Sequence, residues 1–382
     1  MSQPRNIVCI GAGPAAVPLI KQLTKDLPAT HRLVVITSAE AYWPIAGLRA
    51  AVVPGWESKP VGKVDGIFPS SSRHVLLKGT TVTELKENSV VIDKAHAELG
   101  WEIDFEYCIL ATGSSYPFPC RPHPGSTVEE TVTALRALQA DVASSSSVLV
   151  IGGGPVGIEY AGEVAHQFGK DKQVTLVHSH DKFLYEDGWK DSFNASLLKQ
   201  LEGKGVKCVM GIKVVTPVEK TGKVAGGAQE FKLSNGEVVK ADFVFIAHGN
   251  SPNTGFIGAF DPKVLNSSKQ VKVRPSLQLA DYPHMFAVGD ITDVPESKVF
   301  AHAQNHGPVA SKNLLALIKA GGPSSNVTPA KTYGAGAKMI GISIGPSGGA
   351  GQFFGFVAGS WMISFAKSKT LFLSMFNGLY GL

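Results

Sequence analysis

Cysteine is scarce in this chain: Cys9, Cys108, Cys120 and Cys208 are spread over 382 positions with no C-x-x-C pair. That spacing supports neither a dithiol redox centre nor a bound metal, and fits structural thiols in a reducing, intracellular setting. Negative charge is missing altogether from Ser297 to Leu382, where Lys298, Lys312, Lys319, Lys331, Lys338, Lys367 and Lys369 remain. The C-terminal quarter is therefore more positive than the whole chain, whose net charge is only +5. So modest a charge, with no dense Lys/Arg cluster, speaks against a nucleic-acid partner, because released counterions supply most of that affinity. Long apolar runs are absent too. No charge occurs from Met339 to Ala366, yet glycines and Pro346 interrupt the stretch and leave no clean span of about 20 apolar residues. The first strand pattern starts almost at Met1, leaving no room for a signal peptide, and Ser2 stands where N-myristoylation needs glycine.

Glycine, by contrast, is plentiful, and its placement is informative. Gly11-Ala-Gly-Pro-Ala-Ala16 and Gly152-Gly-Gly-Pro-Val-Gly157 each follow a short apolar run, Asn6 to Ile10 and Val148 to Ile151. Each run reads as a buried parallel strand and each turn as the start of a helix. At such a junction the first glycine makes the tight turn, the second lets backbone approach a pyrophosphate, and the third small residue lets helix pack on strand. The candidate nucleotide contacts are thus Gly11, Gly13, Pro14, Ala15 and Ala16, then Gly152, Gly154, Pro155 and Gly157. The repetition continues: Ile109-Leu-Ala-Thr-Gly113 follows the first turn, and Phe245-Ile-Ala-His-Gly249 the second, at nearly the same interval. Thr112, Gly113 and Gly249 join the candidate set on that ground. Met285-Phe-Ala-Val-Gly-Asp290 has the same strand-then-glycine shape but ends in a carboxylate. Two dinucleotide sites in one chain suggest electron traffic between a nicotinamide donor and a bound flavin.

The expected fold class is α/β, with two Rossmann-like dinucleotide-binding domains and a small C-terminal α+β segment. A discontinuous first nucleotide-binding domain spans residues 1–125 and 251–325, a second nucleotide-binding domain 126–250, and a C-terminal segment 326–382. Helices are expected at Val128 to Ala143, Ser192 to Gly203 and Val309 to Lys319, a hairpin around Lys232 to Val238, and strands at Phe243 to Ala247 and Met339 to Ile344. Leu371, Phe372, Met375, Phe376, Leu379 and Leu382 fall on one helical face, with Lys367 and Lys369 just before it.

These turns, together with Ala111-Thr-Gly113 and Gly289-Asp290, resemble those of the two-dinucleotide-domain flavoprotein reductases. Within them the chain is similar to the ferroptosis-suppressor branch of the apoptosis-inducing-factor-like NAD(P)H:quinone oxidoreductases. The distinctive stretches are Ala46-Gly-Leu-Arg-Ala-Ala-Val52, Ala111 to Pro119, Val174-Thr-Leu-Val-His-Ser179 and Ala366-Lys-Ser-Lys-Thr-Leu-Phe372. The resemblance implies FAD in the first domain, NADH or NADPH in the second, and a membrane quinone reached through the C-terminal segment. It implies Arg49 close to the flavin, Val82 meeting adenine through its backbone, Asp290 hydrogen-bonding the flavin nucleotide, and Glu159 where nicotinamide meets flavin. It also places the helix opened by Ala301-His-Ala-Gln-Asn-His306, with His302, at the flavin's carbonyl edge. Phe372, Met375 and Phe376 become candidate quinone contacts.

Several alternatives stay open at this level. The place of the acidic ribose ligand is taken by Thr37 after the first turn, with Glu40 as a substitute, and by His178 after the second. His178, His180 and Lys182 make NADPH admissible. Glu159 has a functional reading and a plainer one, as a carboxylate answering a helix dipole; Glu163, one turn on, reads as structural. The C-terminal apolar face could pack on the chain's own domains, anchor on lipid, or wall a quinone tunnel. Rival functions are a reductase of a soluble iron–sulfur protein and a redox-gated nucleic-acid-binding protein. Location is expected to be cytoplasmic and peripheral on a membrane, which membrane being undetermined, and monomer and homodimer are both compatible with the sequence.

Overall fold

The computed structural model describes residues 3–69, 71–323 and 328–382. Its first sheet is built from near-continuous apolar runs, as a parallel sheet covered on both faces requires. The strand Arg5–Ile10 lies at its centre, flanked by His31–Thr37 and then Val75–Lys78 on one side and by Tyr107–Leu110 and then Met285–Ala287 on the other, all parallel. The last of these returns from far along the chain, so the carboxylate-bearing turn Gly289-Asp290 ends beside the first glycine turn.

The second sheet repeats the plan. Ser147–Ile151 runs parallel to Gln173–Val177 and Phe243–Ile246, with Val206–Val209 beyond the former and an antiparallel Gly222–Lys223 beyond the latter. Between the halves runs the helix Val128–Ala143, with the bounds expected from sequence. Its start is set locally: Thr127 accepts from the Glu130 backbone while the Glu130 side chain accepts from the Thr127 backbone.

A three-stranded antiparallel sheet, Met339–Ile344, Gly348–Phe353 and Phe356–Ala358, leads into a short helical passage and a terminal helix, Leu373–Tyr380. This segment binds to both halves. Its sheet lies on the helix Pro155–Phe168 so closely that a Cβ at Gly162 would stand 2.8 Å from Ile344 Cα. The Trp43 indole donates to Leu371 O at 2.7 Å, and Tyr380 OH donates to Ala12 O, inside the first glycine turn, at 2.8 Å. The boundary expected near Asn326 lies outside the described residues.

Two elements depart from expectation. The helix expected from Val309 runs from Phe300 to Lys319 and carries Pro308 in its interior, so its start agrees with the opening at Ala301 that the family resemblance implies. The terminal apolar residues do not share one helix either, because Leu371 and Phe372 hold φ of +50° and +57° and the helix starts only at Leu373. Leu371, Phe376 and Tyr380 are buried, whereas Met375 and Leu382 are exposed. Phe376 stacks on Trp43 with ring centres 5.7 Å apart. That face packs on the chain's own first domain. No helix among the described residues is long and apolar enough to cross a membrane.

Candidate active site

Both glycine turns have the geometry of a phosphate cradle. Gly11 and Gly152 hold φ of +105° and +110°, values open to glycine and few other residues. Behind them the packing leaves no room: a Cβ at Gly11 would lie 2.3 Å from Ala111 O, and one at Gly157 1.9 Å from Gly152 O. In front the reverse holds, since a Cβ at Gly13 or Gly154 would meet nothing within 4 Å. The helices that follow, Ala16–Asp26 and Pro155–Phe168, have no side-chain cap at their N-termini. Their first-turn N–H groups and positive dipole ends are therefore available to an anion. An alanine at Gly11 is expected to lower the ratio of flavin to protein absorbance by at least about tenfold, in line with the 1–3 kcal/mol typical of a residue forced into a rare backbone region.

One cavity of about 1310 Å³ gathers most of the candidate residues. That exceeds the roughly 300–1,000 Å³ usual for a single small-molecule site. Gly11, Gly13, Pro14, Ala15, Thr37, Val82, Thr112, Gly113 and Asp290 lie on its wall, as do Pro155, Glu159, Phe372 and Met375. Asp290 accepts from Ser114 Oγ at 2.7 Å, with the Arg121 guanidinium 3.8 Å away. The Thr37 hydroxyl donates to Ala39 O at 2.9 Å, while Glu40, also on the wall, accepts from Val64 N at 2.9 Å.

Other expected residues stand elsewhere. Ala16, Gly152, Gly154 and Gly157 belong to the turns but do not line the cavity, Gly249 is exposed beyond its strand, and Phe376 is in the core. Arg49 does not reach the cavity; its guanidinium makes a two-pronged buried pair with Glu163, Nε to Oε2 at 2.9 Å and Nη2 to Oε1 at 2.7 Å. His302 is buried with Nδ1 on Ser297 O at 2.9 Å, away from the wall. His178 is not free to meet a 2′-phosphate, because Nδ1 accepts from Gly153 N at 3.0 Å and Nε2 donates to Lys182 O at 3.1 Å. Lys182 itself pairs with Asp191 at 2.5 Å.

His178 has a counterpart in the first half. His306 Nδ1 accepts from Gly289 N at 3.0 Å while its Nε2 donates to Glu296 at 2.9 Å. A neutral imidazole thus pins a glycine turn in each half, and burial lowers the pKa of both. Groups with depressed folded-state pKa values stabilise the fold above the unfolded value, about 6.5 for histidine, and lose that contribution as pH falls through the folded value. Melting temperature and flavin retention are both expected to decline as pH drops below about 6.5, and a profile flat down to pH 5 would refute the pinning role.

Sequence reasoning missed the cation at the centre of the site. Lys367 Nζ lies 2.5 Å from Glu159 Oε1 and 2.6 Å from Gly341 O, and all three residues line the cavity. The same carboxylate oxygen accepts from Ser343 N at 3.0 Å and Ser343 Oγ at 3.1 Å. The lysine that closes the uncharged run from Met339 to Ala366 was the available signal. All four cysteines are free; burial pushes Cys9, Cys120 and Cys208 up to about 12 and Cys108 well above its ordinary value, so none is a ready nucleophile.

The pyridine nucleotide-disulphide oxidoreductase family model matches residues 5–307. The chain belongs to that family. It is 28% identical to ferroptosis suppressor protein 1 of Mus musculus over 370 residues, 97% of this chain and 94% of that one. It is 31% identical to Fe-regulated protein 8 of Mycosarcoma maydis over 337 residues, 83% of this chain and 81% of the relative. Among solved structures it is similar in fold to an NAD-dependent persulfide reductase from A. fulgidus, with a TM-score of 0.67 and 18% identity over 91% of this chain. The chain spans 63% of the length of that solved chain. This family member is an NAD(P)H-dependent flavoprotein oxidoreductase whose cofactors are FAD and NAD(P)H. The residues fit both: the Gly11–Ala15 turn and Asp290 would hold FAD, and the helix start at Pro155 and Val156 the nicotinamide nucleotide. None of the four cysteines lines the cavity.

Proposed function

We propose that this reductase transfers electrons from NAD(P)H to a quinone with an apolar tail. One observation carries the reading: the cavity that holds the first glycine turn and the Glu159–Lys367 pair is completed by Phe353, Ile363, Phe372 and Met375 of the C-terminal segment. A wall of polar redox-side groups and large apolar side chains suits a polar ring on a greasy chain.

FAD, when bound, supplies a two-electron carrier between hydride donor and acceptor. The protein's residues do the rest by position and charge. The C-terminal segment lines one side of the cavity with Phe353, Ile363, Phe372 and Met375, and such apolar surroundings strengthen the charges beside them. A quinone that gains two electrons must also gain two protons; NAD(P)H brings one with its hydride, and Lys367 Nζ is a protonated donor on the wall that solvent can replenish. Its positive charge favours the anionic acceptor before protonation is complete, and Glu159, with Ser343 behind it, keeps the ammonium in place.

The competing acceptor, a soluble iron–sulfur protein, is favoured by the carboxylate-free surface of the last quarter. Steady-state NAD(P)H oxidation with a water-soluble short-chain quinone and with a ferredoxin-type protein separates the two. Quinone turnover is expected to dominate; turnover with the protein alone would overturn the proposal.

A further inference from the structure

We propose that the apolar surface formed by Phe354, Phe356, Trp361, Met362 and Phe365 docks on a lipid bilayer and seats the cavity against it. This deepens the quinone reading and rests on it for what passes between membrane and cavity; the docking itself is tested separately.

Among the described residues, seven exposed large apolar side chains lie between Phe354 and Leu382. Phe354 and Trp361 are each 81% exposed and Phe365 79%. Such exposure in a short stretch is not the scatter of single apolar residues normal on a protein surface. The local fold holds them out. Phe354 sits at the tip of the hairpin Gly348–Phe353/Phe356–Ala358 with φ of +50°, a conformation few non-glycine residues adopt. Trp361 and Phe365 project from a helical passage whose other face, Ile363, Ser364 and Ser368, is buried.

The surface adjoins the cavity residue by residue. Phe353, beside Phe354, lines it; so do Ile363, beside Met362, and Ala366, beside Phe365. Ala366 and Met375 are both part of the wall and exposed. A molecule that left a bilayer at this rim would enter the cavity without crossing water.

Charge selects lipid over a second protein as the occupant. No carboxylate occurs in the last quarter of the chain, and Lys369, next to the rim, is exposed. Aromatic rings with lysine at their margin suit the boundary between acyl chains and phosphate headgroups. The expected mode is shallow and reversible. Of the three readings the sequence left open for the terminal apolar face, packing is the one the contacts show: it is held on the first domain by Trp43, Lys21 and Tyr380.

The test is flotation of the full chain with phosphatidylcholine vesicles, with and without phosphatidylserine, for wild type and for Phe354→Ser/Trp361→Ser/Phe365→Ser. Wild type is expected to float, more so with phosphatidylserine, and the triple variant to lose at least about tenfold in vesicle binding. Turnover of a water-soluble quinone should stay within about twofold in the variant, as for other surface changes. Wild type that fails to float, or a variant that floats equally, overturns the proposal. So does a wild-type dimer that the substitutions convert to monomer with vesicle binding unchanged, since a second copy would then be the occupant. Loss of floating in the variant with no quinone turnover in either protein would sustain docking and defeat the quinone reading; quinone turnover without floating would do the reverse.

Discussion

Replacing Lys367 with methionine is expected to lower quinone turnover by about 10²- to 10³-fold, the usual effect of removing one preorganised electrostatic group from an active site. The reason is geometric. Lys367 is the cation that contacts Glu159, at 2.5 Å, where the start of the helix Pro155–Phe168 meets the C-terminal sheet, and its side chain is only 12% exposed. Methionine keeps the length and apolar contacts of the stem but supplies neither charge nor proton. Flavin content should be unchanged, because no residue of the first glycine turn is touched, and the loss should fall on kcat. Lys367→Arg, which keeps the charge without the compact ammonium, is expected to recover part of it. Turnover within about twofold of wild type in the methionine variant would show the pair to be a domain clasp and nothing more.

A second large effect concerns stability. Arg49 and Glu163 are each 3% exposed at the side chain and meet through two parallel hydrogen bonds. Truncating one partner of such a pair leaves a buried charge uncompensated and typically costs about 3–5 kcal/mol. Arg49→Ala is therefore expected to destabilise the protein by that amount, whereas Arg49→Met with Glu163→Leu should recover most of the loss, since two apolar side chains need no partner. The deficit of the single variant should depend on pH. Burial already pushes the Glu163 carboxyl above its ordinary value, and without the guanidinium the shift must grow. The folded state then holds a proton that the unfolded state has released, so stability falls with rising pH between the unfolded and folded pKa values. Chemical denaturation at several pH values checks both statements; an Arg49→Ala protein as stable as wild type would contradict them.

What could be read in advance was what is decided locally. The two glycine turns need particular backbone conformations, and the strands before them are apolar on both faces, so residue type alone placed them. The helix Val128–Ala143 announces its start through Thr127 and Glu130. The two ion pairs on the helix Pro155–Phe168 could not be read in this way. Glu159 and Glu163 stand one turn apart with the same local surroundings, yet one pairs with Lys367 and the other with Arg49, each brought from a distant part of the chain by tertiary packing. Sequence likeness put Arg49 and His302 beside the flavin; the packing of Arg49 on Glu163 and of His302 on Ser297 turned both away. The terminal residues misled for a different reason. Apolar spacing from Leu371 onward suits a helix, but two consecutive left-handed residues offset the register and bury Leu371, Phe376 and Tyr380 instead. The exposed rings lie earlier, in a stretch whose glycines hid any periodicity.

The most direct measurement is an anaerobic titration of the purified full chain followed by visible absorbance. A yellow protein should bleach on addition of NADH or NADPH and regain its colour when a water-soluble quinone is added. A colourless protein that takes up no FAD on reconstitution, or a yellow one that neither nicotinamide nucleotide bleaches, would contradict the claim that the two glycine turns hold two nucleotides around a single cavity.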